Sequence, residues 1–182
     1  MKHKSFVWVA LCLLLAACQG KENKEQKFEE RAFQMSVDRE TGVHRMQQSD
    51  AQGSVQIGGA NYNYVIKRSP SDELPRVKDA DGNQFVDNVI DVKITRNEKN
   101  VLVKRFTKKD FSSWVEQSFL SKAILEGFVF DQVINGKMRF AASVCYPQTD
   151  IYIPLSITIS TDGKLQIEKG SVLDDMVPTG GN

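Results

Sequence analysis

The pattern of apolar and polar positions divides the chain into three zones. The first opens with Lys2-His3-Lys4 and continues as an uncharged run from Phe6 to Ala17. That run is shorter than the about 20 apolar residues a bilayer-spanning helix requires. It has the size of a signal-peptide core behind a positively charged start. The second zone is polar. Residues 19–31 carry Lys21, Glu22, Lys24, Glu25, Lys27, Glu29, Glu30 and Arg31, and residues 36–53 end in Gln47-Gln48-Ser49-Asp50-Ala51-Gln52-Gly53. Such a stretch buries too little apolar surface to offset chain entropy, so 18–53 is expected to be a solvated tether. As a random coil it would reach about 30–35 Å. Phe28, Ala32 and Met35 have the spacing of a short amphipathic helix within it.

From residue 54 the pattern alternates with period two. Val55 and Ile57, then Tyr62, Tyr64 and Ile66, flank Gly58-Gly59-Ala60-Asn61 and predict a hairpin. Ile90, Val92 and Ile94 alternate with Asp91, Lys93 and Thr95 as a half-buried strand, and Arg96 to Asn100 turn the chain into Val101–Phe106. A helical segment is expected next. Thr107 and Asp110 have capping-box spacing, Phe111, Trp114, Val115 and Phe119 share a face that Leu120, Ile124 and Leu125 extend, and Gly127 closes it. Glu126–Ile134 and Lys137–Pro147 flank Asn135-Gly136, a strong hairpin signal because both turn positions need positive φ. Ile151, Ile153, Leu155, Ile157 and Ile159 form a further alternating strand, and Thr161-Asp162-Gly163-Lys164 turn it into Leu165 and Ile167. Pro154 removes a ladder donor and predicts an edge strand or a bulge. The expected fold is one α+β domain over 54–177: a meandering antiparallel sheet of six to eight strands with one helical segment packed on a face. Residues 178–182 read as a frayed tail.

Composition narrows the chemistry. The 182 residues carry 24 Lys+Arg against 23 Asp+Glu, which gives no electrostatic case for nucleic acid. The apolar run ends in Leu15-Ala16-Ala17-Cys18, which resembles the lipobox of bacterial lipoproteins. That resemblance implies a signal peptide over 1–17, cleavage before Cys18, and acylation of Cys18, so that the protein meets the membrane through its lipid anchor. Several acyl chains would hold it permanently, each buried CH₂ adding about 0.8 kcal/mol. Gln19 is not the aspartate that signals inner-membrane retention in some bacteria, so the expected location is the outer membrane, facing the periplasm or the surface.

Cleavage would leave His44 as the single histidine and Cys145 as the single free thiol. Zinc sites of cysteine and histidine then lack ligands. A histidine-based triad would have to use His44, which lies in a polar stretch read as unstructured. No G-x-S-x-G, P-loop or G-x-G-x-x-G occurs, and nothing in the sequence calls for a cofactor.

Candidate binding residues are few. Asp79-x-Asp81-x-Asn83, with Asp87 beyond, resembles the start of an EF-hand calcium loop, but Gln84 and Ile90 stand where that loop has glycine and a bidentate glutamate. A solvated β-turn explains the same residues. Asp131 falls opposite Phe140 if Asn135-Gly136 is a two-residue turn, on a face with Val129, Val133, Met138, Phe140, Ala142, Val144 and Tyr146. An acid there needs a partner and would be a functional candidate; a bulge or longer turn would put it in water instead. Lys104, Arg105, Lys108 and Lys109 form a basic cluster open to lipid headgroups or an acidic partner, or simply a solvated edge. Lys108 and Lys109 sit unfavourably at a positive helix start, which favours another use for them. Cys145 reads as a small buried hydrophobe. Tyr146, Tyr152, Phe128, Phe130 and Trp114 could line a pocket or belong to the core.

Taken together, Gly59-x-x-Tyr62-x-Tyr64, Leu74-Pro75, Asp81-Gly82-Asn83, Phe85-x-Asp87-Asn88-x-Ile90 and Phe106-Thr107-Lys108-x-Asp110-Phe111 resemble a family of uncharacterised lipoproteins of anaerobic Gram-negative bacteria, a domain of unknown function. The resemblance implies export and anchoring and brings no catalytic residues. The reading that follows is a lipid-anchored, non-enzymatic binding or interaction domain of the cell envelope, with an envelope protein or glycan as partner. A small-ligand pocket between sheet and helix is the alternative. A carboxylate-based hydrolase would need a close pair of acids, and the sequence nominates none.

Overall fold

The computed structural model describes residues 34–170. The leader, Cys18, the residues of the expected tether before 34, and the tail 178–182 lie outside the described residues. The domain is mostly β and consists of three four-stranded sheets, not one meandering sheet with a packed helix. One large sheet is ordered β3 (Ser49–Ile57), β4 (Ala60–Pro70), β7 (Asn88–Arg96), β8 (Lys99–Phe106). The other is ordered β12 (Leu165–Lys169), β11 (Tyr152–Ile159), β10 (Lys137–Cys145), β9 (Ile124–Ile134). The small sheet runs β1 (Met35–Val37), β2 (His44–Met46), β6 (Gln84–Phe85), β5 (Val77–Lys78). Both large sheets are antiparallel throughout; the small one contains a parallel pair at His44 and Phe85.

Turn chemistry sets the registers. Gly58-Gly59, Asn97-Glu98 and Asn135-Gly136 all have positive φ at both positions. They close β3–β4, β7–β8 and β9–β10 as two-residue turns, with Ile57 opposite Ala60, Arg96 opposite Lys99 and Ile134 opposite Lys137. Paired left-handed residues match the right-handed twist of the strands they join.

The two large sheets share one core. Tyr62 and Ile66 of β4, Ile90, Val92 and Ile94 of β7, and Phe106 of β8 meet Phe128 of β9, Phe140 and Val144 of β10 and Leu155, Ile157 and Ile159 of β11. Each such side chain, fully buried, contributes about 1.5–3 kcal/mol. Phe128 lies 5.0 Å from Phe106 and 5.4 Å from Phe140, and Tyr64 stacks on Phe130 at 4.9 Å. A second, smaller cluster of Met46, Val77, Phe85, Ile124 and Cys145 joins the small sheet to the start of β9 and the end of β10.

Several expectations change. Residues 35–53 are not tether: Met35 packs on the smaller cluster in β1, the His44 ring of β2 lies tilted 4.7 Å from Phe85, and β3 begins at Ser49. The helical segment shrinks to a 3-10 turn, Lys108–Phe111, and a single α-turn, α1 (Gln117–Leu120), because Glu116 between them is extended. The Thr107–Asp110 capping box does form: the Asp110 carboxylate accepts from the Thr107 N–H at 2.9 Å and its hydroxyl at 3.1 Å. Ile124, Leu125 and Gly127 belong to β9 rather than to the helix and its end.

Pro154 lies in an interior strand with no bulge against β10. Its carbonyl accepts from Gly170 N–H, beyond the last β11–β12 pair, Leu155 with Lys169. In an antiparallel strand, the nitrogen and carbonyl of one residue face the same side. The missing donor therefore points to where β12 has ended.

Candidate functional site

A buried polar seam joins the small sheet to the two large ones. Arg68 of β4 is buried, and its guanidinium donates to the Glu126 carbonyl at 2.7 Å and the Gln47 carbonyl at 3.0 Å. Glu126 is the extra residue of a bulge, since Ser143 pairs with Gly127 while Val144 pairs with Leu125. The bulge frees its carbonyl from the ladder and aims it at Arg68. Asn88 Nδ2 donates to the Leu125 carbonyl at 2.9 Å. One Asp87 carboxylate oxygen accepts from the Leu125 and Asn88 N–H groups at 2.9 and 2.8 Å, and the other lies 3.2 Å from Lys108 Nζ. Burial pushes the Asp87 carboxyl above the usual carboxylate range, with Lys108 and the N–H donors opposing it. Lys108 Nζ also donates to the Ala123 carbonyl at 2.7 Å. Cys145 is buried beside Glu126, and burial pushes its thiol up, so it is held as an inert thiol.

Two clefts lie near the small sheet, and the smaller has the seam residue Lys108 in its wall. The larger, about 620 Å³, lies between the β5–β6 turn and the turn after β10. Lys78, Asp81, Asn83, Lys122, Gln148 and Thr149 line it around the Tyr146 ring. That ring is stacked on Phe119 with centroids 4.4 Å apart, which locks its orientation. The backbone at Tyr146 is fixed too: its carbonyl accepts from the Thr149 N–H and hydroxyl at 3.2 and 3.0 Å, and Gln148 stands in the left-handed region at φ 57°. The smaller cleft, about 470 Å³, is lined by Pro75, Arg76, Lys108, Lys109, Ser112, Gln117, Leu120 and Ser121, with no acid among them. Arg76 is 3.8 Å from Asp72, whose carboxylate already forms a bidentate pair with Arg45 at 2.7 Å.

The candidates read from sequence separate. Lys108 and Lys109 reach the smaller cleft together, Lys108 pinned by the seam and Lys109 exposed. Lys104 is drawn to Asp110 at 2.8 Å and Arg105 to Asp91 at 2.8 Å, so neither joins them. Asp131 does not pair with Phe140: Phe130 does, and Asp131 is the bulged residue between the Phe130 and Gln132 pairs. It lies at the surface, paired with Arg139 Nε at 2.6 Å, while Val129 turns outward and Phe128 and Phe130 take the core face. The four calcium candidates do not converge. Asp79 spends its carboxylate on its own turn, accepting from the Asp81 N–H at 3.0 Å and from the Asn83 N–H and side-chain amide at 2.8 Å. Those bonds, the Asn83 amide first, hold its carboxyl below the usual range. Asp87 is buried in the seam, and among the described residues no three histidine, cysteine or acidic side chains are grouped to hold a metal ion. Phe128 and Phe130 pack in or against the core, with Trp114 beside them, and Tyr152 is exposed on β11.

Sequence reasoning passed over Arg68, Asn88, Arg76, Lys78, Lys122 and Gln148. For two of them a signal existed. Arg68 is in phase with Tyr62, Tyr64 and Ile66, and Asn88 with Ile90, Val92 and Ile94. A polar residue at the end of an inward-facing register is placed for burial and needs partners.

Two meandering sheets around one core, with a third small sheet docked through a buried polar seam, define a mostly β, three-sheet domain. The chain belongs to a family described as a domain of unknown function, DUF4738, which matches residues 24–167. No curated protein shows a significant match to it. Among the described residues, no helix is long and apolar enough to cross a membrane.

Proposed function

We propose that this chain is a lipid-anchored binding domain of the cell envelope that takes a saccharide in the Tyr146 cleft. The anchor rests on Leu15-Ala16-Ala17-Cys18 behind the charged start and apolar core. The observation that carries the ligand reading is the cleft itself. At about 620 Å³ it falls within the about 300–1,000 Å³ of small-molecule sites. A ring fixed by stacking offers an apolar platform to the C–H face of a sugar. Asp81, Gln148, Lys78 and Lys122 line the cleft as well and bring acceptors and donors for hydroxyls. The role is binding rather than catalysis: Asp79 is consumed by its turn, and Asp87 by the seam.

The test is titration of the full chain, purified in detergent, with a panel of oligosaccharides, beside a Tyr146→Ala variant. Micromolar to millimolar binding that weakens at least tenfold in the variant is the expected result, about 1.4 kcal/mol. Binding unaffected by Tyr146→Ala, or no binding, overturns the reading. For the anchor, a Cys18→Ser variant grown with an alkyne fatty acid should lose the label that the parent chain incorporates.

A second reading, docking of an envelope protein, is favoured by Val129, Val133 and Ile134 lying exposed along the edge strand β9. Crosslinking in intact cells, with the Cys18→Ser strain as control, should then yield one stoichiometric partner.

A further inference from the structure

We infer that the saccharide carries an acidic group, a carboxylate or sulfate, and that the Arg76–Lys109 cleft receives it. This rests on the saccharide reading and extends it from one cleft to two.

The clefts are neighbours in the chain as well as in space. Arg76 lines one and Lys78 the other, with only the buried Val77 between them. Residues two apart on a strand lie within about 7 Å. On the opposite wall, Ser121 lines the basic cleft and its neighbour Lys122 lines the Tyr146 cleft. One ligand can therefore run over this ridge from the aromatic platform into the basic cleft.

The charge is also unspent. Asp87 neutralises Lys108. Arg76 shares Asp72 with Arg45, which holds it more tightly, so two cations face one acid. Among the described residues, no acid lies within ion-pair distance of Lys109, Lys78 or Lys122. The acids of the ridge, Asp79 and Asp81, stand on the Tyr146 side. The basic cleft holds cations and no acid, whereas Asp79 and Asp81 balance Lys78 and Lys122 in the Tyr146 cleft, so an acidic substituent is drawn to the basic end and sets the direction in which the ligand lies. Lys108 adds rigidity: with its ammonium clamped by Asp87 and the Ala123 carbonyl, it walls the cleft, while the exposed Arg76 and Lys109 supply the mobile contacts. Ser112 and Gln117 add uncharged donors suited to an oxyanion.

The experiment is calorimetric titration of the full chain in detergent with three probes: an oligogalacturonate, a sulfated dextran oligosaccharide and a neutral dextran oligosaccharide. The expected result is that at least one acidic probe binds about tenfold more tightly than the neutral one at low salt, with the preference shrinking as ionic strength rises. An Arg76→Gln, Lys109→Gln variant, both changes at exposed positions, should erase the preference and leave the neutral affinity unchanged. Tyr146→Ala should weaken all three probes. Equal affinity for acidic and neutral probes, or a preference that survives the double variant, overturns the inference while the saccharide reading stands. If no probe binds, or Tyr146→Ala changes nothing, the saccharide reading falls and the inference with it. Binding to phosphatidylglycerol vesicles without binding to any sugar also overturns it, and makes the basic cleft a membrane contact.

Discussion

The apolar core between the large sheets and the polar seam beside it hold the domain together by opposite means. The core is redundant. Aromatic and aliphatic side chains from every strand of the two large sheets interlock there, and no single contact decides the fold. The seam is sparse. Arg68, Asp87, Asn88 and Lys108 join three sheets through a handful of directional bonds, each satisfying a buried group that would otherwise be costly. The basic cleft opens beside the seam, with the seam residue Lys108 in its wall. The lesson is that this scaffold keeps its adjustable chemistry where its packing is most specific, so that a wall such as Lys108 is fixed before any ligand arrives.

The sharpest way to break the seam is Asp87→Ala. It strips the acceptor from two buried N–H groups and leaves the Lys108 ammonium facing a void, and should cost about 3–5 kcal/mol in urea unfolding. Asp87→Asn retains a carbonyl oxygen for those N–H groups and should cost no more than about 2 kcal/mol. Burial already disfavours the charge at this position, so most of what Asp87 contributes is as an acceptor. In the core the equivalent near-isosteric change is milder still: Ile157→Val should cost about 0.5–1.5 kcal/mol. If Asn proves as damaging as Ala, charge rather than acceptance holds the seam.

The core has one point of equal intolerance, at its rim. Gly163 closes the β11–β12 turn at φ 82°, and a Cβ there would lie 2.4 Å from the Val101 carbonyl oxygen of β8. The backbone of one large sheet is pressed against the turn of the other. Gly163→Ala combines left-handed strain with overpacking and should cost about 2–4 kcal/mol. Gly136 has a similar φ of 71° but open space around it, so Gly136→Ala should pay only the strain, about 1–2 kcal/mol. Equal losses in thermal unfolding would show that the close approach contributes nothing.

Acid separates the regions again. Salt bridges and turn bonds at the surface hold Asp38, Asp72 and Asp91 below the ordinary 3.8, so their stabilisation is present above that pH and is lost as pH falls through their folded values. Asp87 runs the other way. Its folded value is raised, so the native state binds a proton before the unfolded chain does, and stability from this group grows as pH falls toward 3.8. The stability difference between the parent chain and Asp87→Asn should therefore move in the parent's favour between pH 7 and 4. Urea midpoints at stepped pH measure it, and a flat difference would place Asp87 outside the low-dielectric seam.

The core was legible because alternation is local. Ile90, Val92 and Ile94 announce their shared face within five residues, and the Gly58-Gly59 and Asn135-Gly136 turns fix their own hairpins. The seam was not, since its members lie far apart in the chain and meet only after three sheets assemble. The failed helix has the same cause. Phe111, Val115 and Leu120 do all face the core, as their spacing suggested, but an extended Glu116 delivers them in separate turns. Residues 35–53 do not read as strands in the sequence because apolar positions such as Met35 and Met46 are few in their own stretch and count only when strands from elsewhere surround them.

Asp131 tests the smallest effect and the reason for its misplacement. An ideal two-residue hairpin carries its register along both strands, which would have put this acid on the core face. The turn is as expected, with Ile134 opposite Lys137, but the bulge between Arg139 and Phe140 resets the phase within a few residues. The reset suits the composition: it turns Phe128 and Phe130 inward and leaves the carboxylate in water beside Arg139. A half-exposed pair of this kind contributes about 0.2–1 kcal/mol. Asp131→Ala should therefore lower stability by no more than that in urea unfolding and leave the affinity of the Tyr146 cleft unchanged. A loss above about 2 kcal/mol would mean that the carboxylate is buried after all, and that the bulge, which alone keeps it out of the core, does not form.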